Sequence, residues 1–246
     1  MNNQKLIDVF KGEWVSKFPD SWDVVSGGPI PLFEDNHVGY VKDFFGSLEG
    51  FNIVECGSLE GGHTYQLNKE GAFVDAVENN PRFIAKCCLL KEIVNLQFAH
   101  FYYDDLFEFM ENNGDYDLVF ASGVLYHQMN PIRLIELASK VAPRLYIWTH
   151  YYDKYLIGKT PFAERYEEEQ GFTFDGHGYI GSIHHYDKPE NYKIFTGGPD
   201  QTSKWLTKGS ILDALKNYGY TKIKINYEDL DGANGPSFSI CAQKGE

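Results

Sequence analysis

The feature that most constrains this chain is a change of rhythm at residue 51, after which short apolar runs alternate with helical stretches. Residues 51–56 form the first run, and a glycine follows it. Residues 62–69 carry a helical pattern with Gly71 at the exit, and 72–77 are the next run. Pro81 opens a long helix through Val94, because proline suits a helix's first turn. Residues 96–101, 116–121 and 144–149 read as further strands, with helices at 106–112 and 131–141 between them. Strands separated by helices imply a parallel sheet with right-handed crossovers. Residues 207–218 then read as a helix closed by Gly219. Strands 221–227 and 237–243 follow, and the Gly-Ala-Asn-Gly-Pro turn between them marks an antiparallel pair.

Two regions break this rhythm. Residues 1–50 mix turn signals such as Ser26-Gly27-Gly28-Pro29 with helical spacing at Leu6, Val9 and Phe10 and again at Val38, Val41, Phe44 and Phe45. They read as a helical lead-in. Residues 151–205 are rich in Tyr, Phe, Gly and His with no sustained period, and read as an insertion before the last helix. The expected organisation is an α/β domain over 51–150 and 206–246, with 1–50 as lead-in and 151–205 as a substrate cap. Loops this long inside a compact domain are usually functional or disordered.

In an open parallel sheet, ligands bind beyond the carboxyl ends of the strands. After the first strand comes Glu55-Cys56-Gly57-Ser58-Leu59-Glu60-Gly61-Gly62-His63-Thr64, where glycines permit a tight turn and the next helix offers N–H groups to a carboxylate. After the second stands Glu78 with Asn79, placed to accept hydrogen bonds from a ribose diol. After the third come Asp104 and Asp105, able either to receive an adenine amino group or to cap a helix. After the fourth comes Ser122-Gly123-Val124-Leu125-Tyr126-His127. Polar groups at successive strand ends together describe an adenosyl ligand. A dinucleotide fits less well, because Leu59 stands where the pyrophosphate would require glycine.

On the segments VECGSLEGGHT, AVENNPRF, YYDDLF and YDLVFASGVLYHQMNP, the chain resembles class I S-adenosylmethionine-dependent methyltransferases over about residues 51–150 and 207–243. The last segment looks like the GVLYH signature of a subgroup that includes proteins similar to tRNA wobble-uridine modifying enzymes. The resemblance implies a Rossmann-like, doubly wound, seven-stranded sheet with an antiparallel last strand, and S-adenosyl-L-methionine as cofactor. It implies that Glu55, Gly57, Gly61, Gly62 and Thr64 shape the methionine end. It assigns the ribose to Glu78 beside Asn79, the adenine to Asp104 or Asp105, and a further part of the site to Ser122 and Gly123. One departure is that Ser58-Leu59-Glu60 interrupt the family's alternating glycines.

Methyl transfer from a sulfonium depends chiefly on positioning, and needs a base only where the acceptor must lose a proton. His127 and His150, at the ends of the fourth and fifth strands, are the candidate catalytic residues. Trp148, Trp205, Phe162, Tyr166 and Phe172 are candidates to line the cap, and the high aromatic content of 16% supports such a pocket. His177, His184 and His185 lack metal-ligand spacing, so no metal is expected. Glu167-Glu168-Glu169 reads as solvated surface.

The formal net charge of −13 opposes a nucleic-acid partner, whose affinity comes largely from Lys and Arg. A small or medium acceptor is therefore expected. The alternatives are a non-catalytic S-adenosylmethionine-binding protein and a tRNA-modifying transferase. No apolar run approaches the roughly 18 residues of a membrane span. Cys56, Cys87, Cys88 and Cys241 form no C-x-x-C pair and read as reduced thiols of a cytoplasmic protein. The oligomeric state stays open, a homodimer being one option.

Overall fold

A computed structural model describes residues 3–186 and 200–245, and the chain divides into two compact units, the first running to Phe109 and the second from Met110. In the first unit, α1 (Asn3–Ile7) and α2 (His37–Phe45) precede β1 (Asn52–Cys56), α3 (Gly62–Lys69), β2 (Phe73–Glu78), α4 (Pro81–Val94) and β3 (Ala99–Tyr103). The division falls within α5 (Leu106–Asn112). The second unit continues with β4 (Leu118–Ser122), α6 (Pro131–Val141), β5 (Arg144–His150) and α7 (Lys154–Ile157). It ends with β6 (Gln170–Phe174), β7 (His177–His185), β8 (Thr202–Leu206), α8 (Lys208–Asn217), β9 (Tyr220–Asp229) and β10 (Ser237–Lys244).

A seven-stranded sheet has the order β3-β2-β1-β4-β5-β10-β9, the expected doubly wound α/β architecture. Pairing is parallel in β1–β2, β2–β3 and β4–β5, and antiparallel where β10 meets β5 and β9. Four of the five residues of β1 are buried, as a strand covered on both faces requires. The helices start where local chemistry dictates. Asn80 caps α4 by accepting hydrogen bonds from the N–H groups of Arg82 and Phe83, and Thr207 caps α8 through Ser210 N.

The third strand begins later than the apolar run predicts. Asn95 ends α4 in the left-handed region (φ 55°), and Leu96 N donates back to Lys91 O at 3.1 Å. Leu96 thereby closes the helix and is buried there, and β3 starts only at Ala99. The lead-in carries the expected helical segments, α1 and α2. Between α1 and α2 its path is irregular, with an isolated bridge between Ser16 and Ile30, and Trp14, Phe18, Val24 and Phe33 bury against Ile7 and Leu90. An aromatic cluster therefore replaces helical packing there.

The region read as irregular contains a three-stranded antiparallel sheet, β6-β7-β8. Its strands are built from Gly, His, Gln and Ser as much as from apolar residues, which weakens the alternation that announces a strand. Residues 187–199 of the expected cap lie outside the described residues. Among the described residues no helix is long and apolar enough to cross a membrane.

Candidate active site

The first unit gathers polar groups at the carboxyl ends of β1 and β2. Gly57 (φ 68°) turns the chain out of β1, and its N–H donates to Val77 O at 2.8 Å. Leu59 is left-handed (φ 50°), and its N–H donates to Glu78 Oε2 at 3.0 Å. Glu78 Oε1 accepts from Asn80 N at 2.9 Å. The carboxylate at the end of β2 is thus clasped by the turn beyond β1. Burial pushes Glu78 up to about 7, against the pull of hydrogen bonds from the N–H groups of Asn80, Leu59 and Asn79.

Glu55, buried in β1, accepts a hydrogen bond from Thr64 Oγ1, and burial raises it to about 7 as well. The first-turn N–H groups of α3, beside Thr64, have no carbonyl partner within their own helix. Glycine is required at Gly62 by the chain itself, because a Cβ there would stand 2.8 Å from Leu32 O. Gly61 adopts φ 79°, and a Cβ there would lie 3.4 Å from Phe101. The two glycines thus let neighbouring chain close over the turn.

Glu60 has a role that the glycine pattern gave no hint of. It is buried, pairs with Lys86 Nζ at 2.6 Å, and accepts from Ser16 N at 2.8 Å and Val15 N at 3.1 Å. Lys86 is itself fully buried. The residue that interrupts the glycine alternation therefore fastens the lead-in to the turn. Asp105 caps α5, its Oδ1 accepting from Phe107 N (2.9 Å) and Glu108 N (3.1 Å). Asp104 N lies 3.4 Å from Glu78 O, and Asp104 Oδ1 accepts from Asp105 N. Asn79 is exposed beside Glu78.

The second unit assembles an aromatic cluster at the ends of β4 and β5. Gly123 (φ 79°) follows Ser122, and its N–H donates to Trp148 O at 2.9 Å. The short 3-10 turn Leu125–His127 then places Tyr126 and His127 with ring centroids 4.0 Å apart. Tyr126 also meets His150 edge to face at 4.8 Å and Trp205 at 5.4 Å. Both candidate catalytic histidines therefore touch one tyrosine ring. His150 stacks on Trp205 at 5.1 Å and 15°.

The environments of the two histidines differ. His150 Nδ1 lies 3.2 Å from the carbonyl oxygens of both Gly235 and Pro236, so its proton sits on Nδ1 and the lone pair on Nε2. Burial holds His150 below the usual imidazole range, against the raising effect of those carbonyls, and keeps it neutral near pH 7. His127 Nδ1 is 2.7 Å from the Tyr186 hydroxyl, which in turn lies 2.9 Å from Ser203 Oγ. Burial pushes the Tyr186 phenol up to about 12, so it keeps its proton.

Of the expected cap residues, Trp148, Tyr166 and Trp205 join this cluster with Tyr126, Tyr152 and Ile157. Phe162 and Phe172 do something else: they lie under Arg165 and Lys204 at 4.6 and 4.8 Å. His184 packs against Tyr166, Tyr186 and Trp205, whereas exposed His185 pairs with Glu167 at 2.9 Å. Adjacent histidines on a strand point to opposite faces. Residues 167–169 are exposed, as expected. Sequence reading missed His184 as a ring partner and Tyr186 altogether, since neither sits at a strand end of the large sheet.

No protein-family profile matches the sequence, and neither does any curated protein. The solved structures give a different result. The N-terminal domain of EvdMO1, determined in the presence of SAH and D-fucose, superposes with a TM-score of 0.75 at 21% identity, covering 100% of this chain and 98% of that one. Against whole EvdMO1 the match covers 46% of that chain. Magnesium protoporphyrin IX methyltransferase from Synechocystis PCC 6803 with bound SAH gives 0.57 at 16% identity, covering 85% and 80% of the two chains. The 1,6-didemethyltoxoflavin-N1-methyltransferase of Burkholderia thailandensis, with bound 1,6-didemethyltoxoflavin and S-adenosylhomocysteine, gives 0.56 at 13%, covering 88% and 79%. The chain thus has the fold of class I S-adenosylmethionine-dependent methyltransferases.

Proposed function

We propose that the chain is an S-adenosylmethionine-dependent methyltransferase that methylates a hydroxyl group on a small or medium-sized ring compound. The observation that carries the cofactor reading is the buried Glu78 carboxylate at the end of β2, clasped by Leu59 N and Asn80 N. A carboxylate placed there accepts from a ribose diol, and the N–H groups at the start of α3 suit a carboxylate. Glu78 would hold the ribose and the turn around Gly57, Gly61, Gly62 and Thr64 the methionine end, with Glu55 fixing Thr64. Because Asp105 is committed to capping α5, Asp104 is the better adenine partner. The Gly123–His127 segment is what relates the chain to the GVLYH subgroup, while the acidic charge favours a small acceptor over that subgroup's tRNA.

When bound, S-adenosylmethionine supplies an electrophilic methyl group and leaves as S-adenosylhomocysteine. The residues supply the rest. His150 Nε2 carries the lone pair and takes the proton from the acceptor hydroxyl as the new O–CH3 bond forms. The Gly235 and Pro236 carbonyls stabilise the resulting imidazolium by accepting from Nδ1. Tyr186 orients His127, which positions the acceptor. Tyr126, Trp148 and Trp205 pack around His150 as an apolar ring cluster, which suits an acceptor that is itself a hydroxylated ring, and D-fucose, present in the EvdMO1 structure, is such a compound.

The test is incubation with methyl-labelled S-adenosylmethionine and a panel of hydroxylated sugars and phenols. Label transferred to at least one acceptor is the expected result. Tight S-adenosylhomocysteine binding with no transfer, to the panel or to a small-molecule extract, would assign the chain as a non-catalytic binder instead.

A further inference from the structure

Asp35, His37 and His63 converge in the first unit and have no part in the proposed reaction. Asp35 Oδ2 lies 2.8 Å from His63 Nε2 and 3.8 Å from His37 Nδ1, and the three ligand-type atoms all lie within 4.8 Å of one another. The side chains are mostly buried, with 18%, 18% and 11% of the Asp35, His37 and His63 side chains exposed. The imidazole rings stack at 5.1 Å and 18°. The other carboxylate oxygen, Asp35 Oδ1, accepts from Gln66 Nε2 at 3.1 Å and from His37 N at 3.2 Å. Such outer bonds orient a ligating carboxylate. An Asp–His pair alone would need only Asp35 and His63; here a second imidazole nitrogen, His37 Nδ1, also faces the same oxygen at 3.8 Å.

We propose that Asp35, His37 and His63 form a binding site for a divalent first-row transition ion of the zinc and cobalt class. Two imidazole nitrogens and one carboxylate oxygen are a ligand set suited to such ions rather than to magnesium or calcium. Bond lengths of about 2.0–2.2 Å place tetrahedral ligand atoms roughly 3.3 Å apart. The Asp35–His63 separation has to open by about 0.5 Å and the Asp35–His37 separation to close by about as much, which side-chain torsions can supply. Three protein ligands leave at least one position for water or another oxygen donor. His63 stands between Gly62 and Thr64, so the ion ties the start of α2 to the start of α3. The site stands independently of the methyltransferase reading. It also differs from the insertion histidines, of which His184 packs among rings and His185 pairs with Glu167.

The test is titration of the chelator-treated, tag-free chain with cobalt(II), followed by visible absorption. A band saturating at one equivalent and displaced by zinc is expected. His37→Gln should weaken cobalt binding at least about tenfold while far-UV circular dichroism is unchanged. His184→Gln should bind as the parent does. Absence of a saturable band up to millimolar cobalt overturns the proposal, and that result needs no variant. A band unaltered in both His37→Gln and Asp35→Asn overturns it equally, since the ion would then lie elsewhere.

Discussion

Glu78 makes the cofactor reading testable through pH. Its carboxyl is raised to about 7, chiefly by burial. A ribose diol donates hydrogen bonds to a carboxylate, so the ligand favours the ionised form and holds the complexed group ionised below pH 6. The free protein therefore carries the extra proton between pH 6 and 8, binding releases it, and raising the pH favours binding. With a free-protein value near 7, about one molecule in eleven is ionised at pH 6 and about ten in eleven at pH 8. The dissociation constant for S-adenosylhomocysteine should thus fall about tenfold over that range, or about 1.4 kcal/mol. Calorimetry at pH 6, 7 and 8 in two buffers of different ionisation enthalpy measures both the affinity and the proton released. Glu78→Gln removes the titrating group while keeping its size, and should bind more weakly with no such slope. Glu55 also titrates near 7, so Glu55→Gln serves as the companion variant and should keep the Glu78 part of the slope. A parent constant that holds within twofold from pH 6 to 8, or a slope surviving Glu78→Gln, would refute the reasoning.

Three further outcomes are expected. Lys86→Met leaves Glu60 buried without its cation and should lower the unfolding free energy by about 3–5 kcal/mol in urea titrations; the double variant with Glu60→Gln should recover part of it. Gly62→Ala places a methyl group against Leu32 O and should cost about 1–3 kcal/mol by thermal unfolding, since the clash is with backbone. If His150 is the base, His150→Gln should reduce kcat by about 10²–10⁴-fold while the S-adenosylhomocysteine affinity stays within threefold; an equal loss of both would make His150 a packing residue.

The large sheet was legible because its signals are local. Apolar runs, Pro81 at a helix start, and Gly71 and Gly219 at helix exits each act within a few residues, and the elements fall where those residues put them. The strand-end positions of Glu78, Asp104 and Asp105 were legible for the same reason: sheet topology, once read, fixes which residues follow each strand. What escaped depends on partners distant in sequence. Leu96 looked like strand because its burial was visible but its role in closing α4 was not. The small sheet β6-β7-β8 escaped because glycines and histidines carry its pairing. Tyr186 meets His127 across 59 positions, and nothing near either residue announces it.

Leu59 and Glu60 show how far that difference reaches into the turn beyond β1. In sequence they look like defects in a glycine-rich turn. In the structure Leu59 takes the left-handed conformation that glycine would otherwise supply, at a cost of roughly 1–2 kcal/mol. Its N–H then reaches Glu78. Glu60 turns into a buried pair with Lys86 and holds the N–H groups of Val15 and Ser16. The contacts of Glu60 are what make the strained backbone at Leu59 affordable, because unwinding the turn would strand a buried carboxylate and a buried ammonium together. The lead-in therefore belongs to the turn energetically, although α2, β1, α3 and β2 all lie between Ser16 and Lys86 along the chain. A departure from a family's glycine spacing is then better read as a change in what enforces the turn than as a loss of the turn itself.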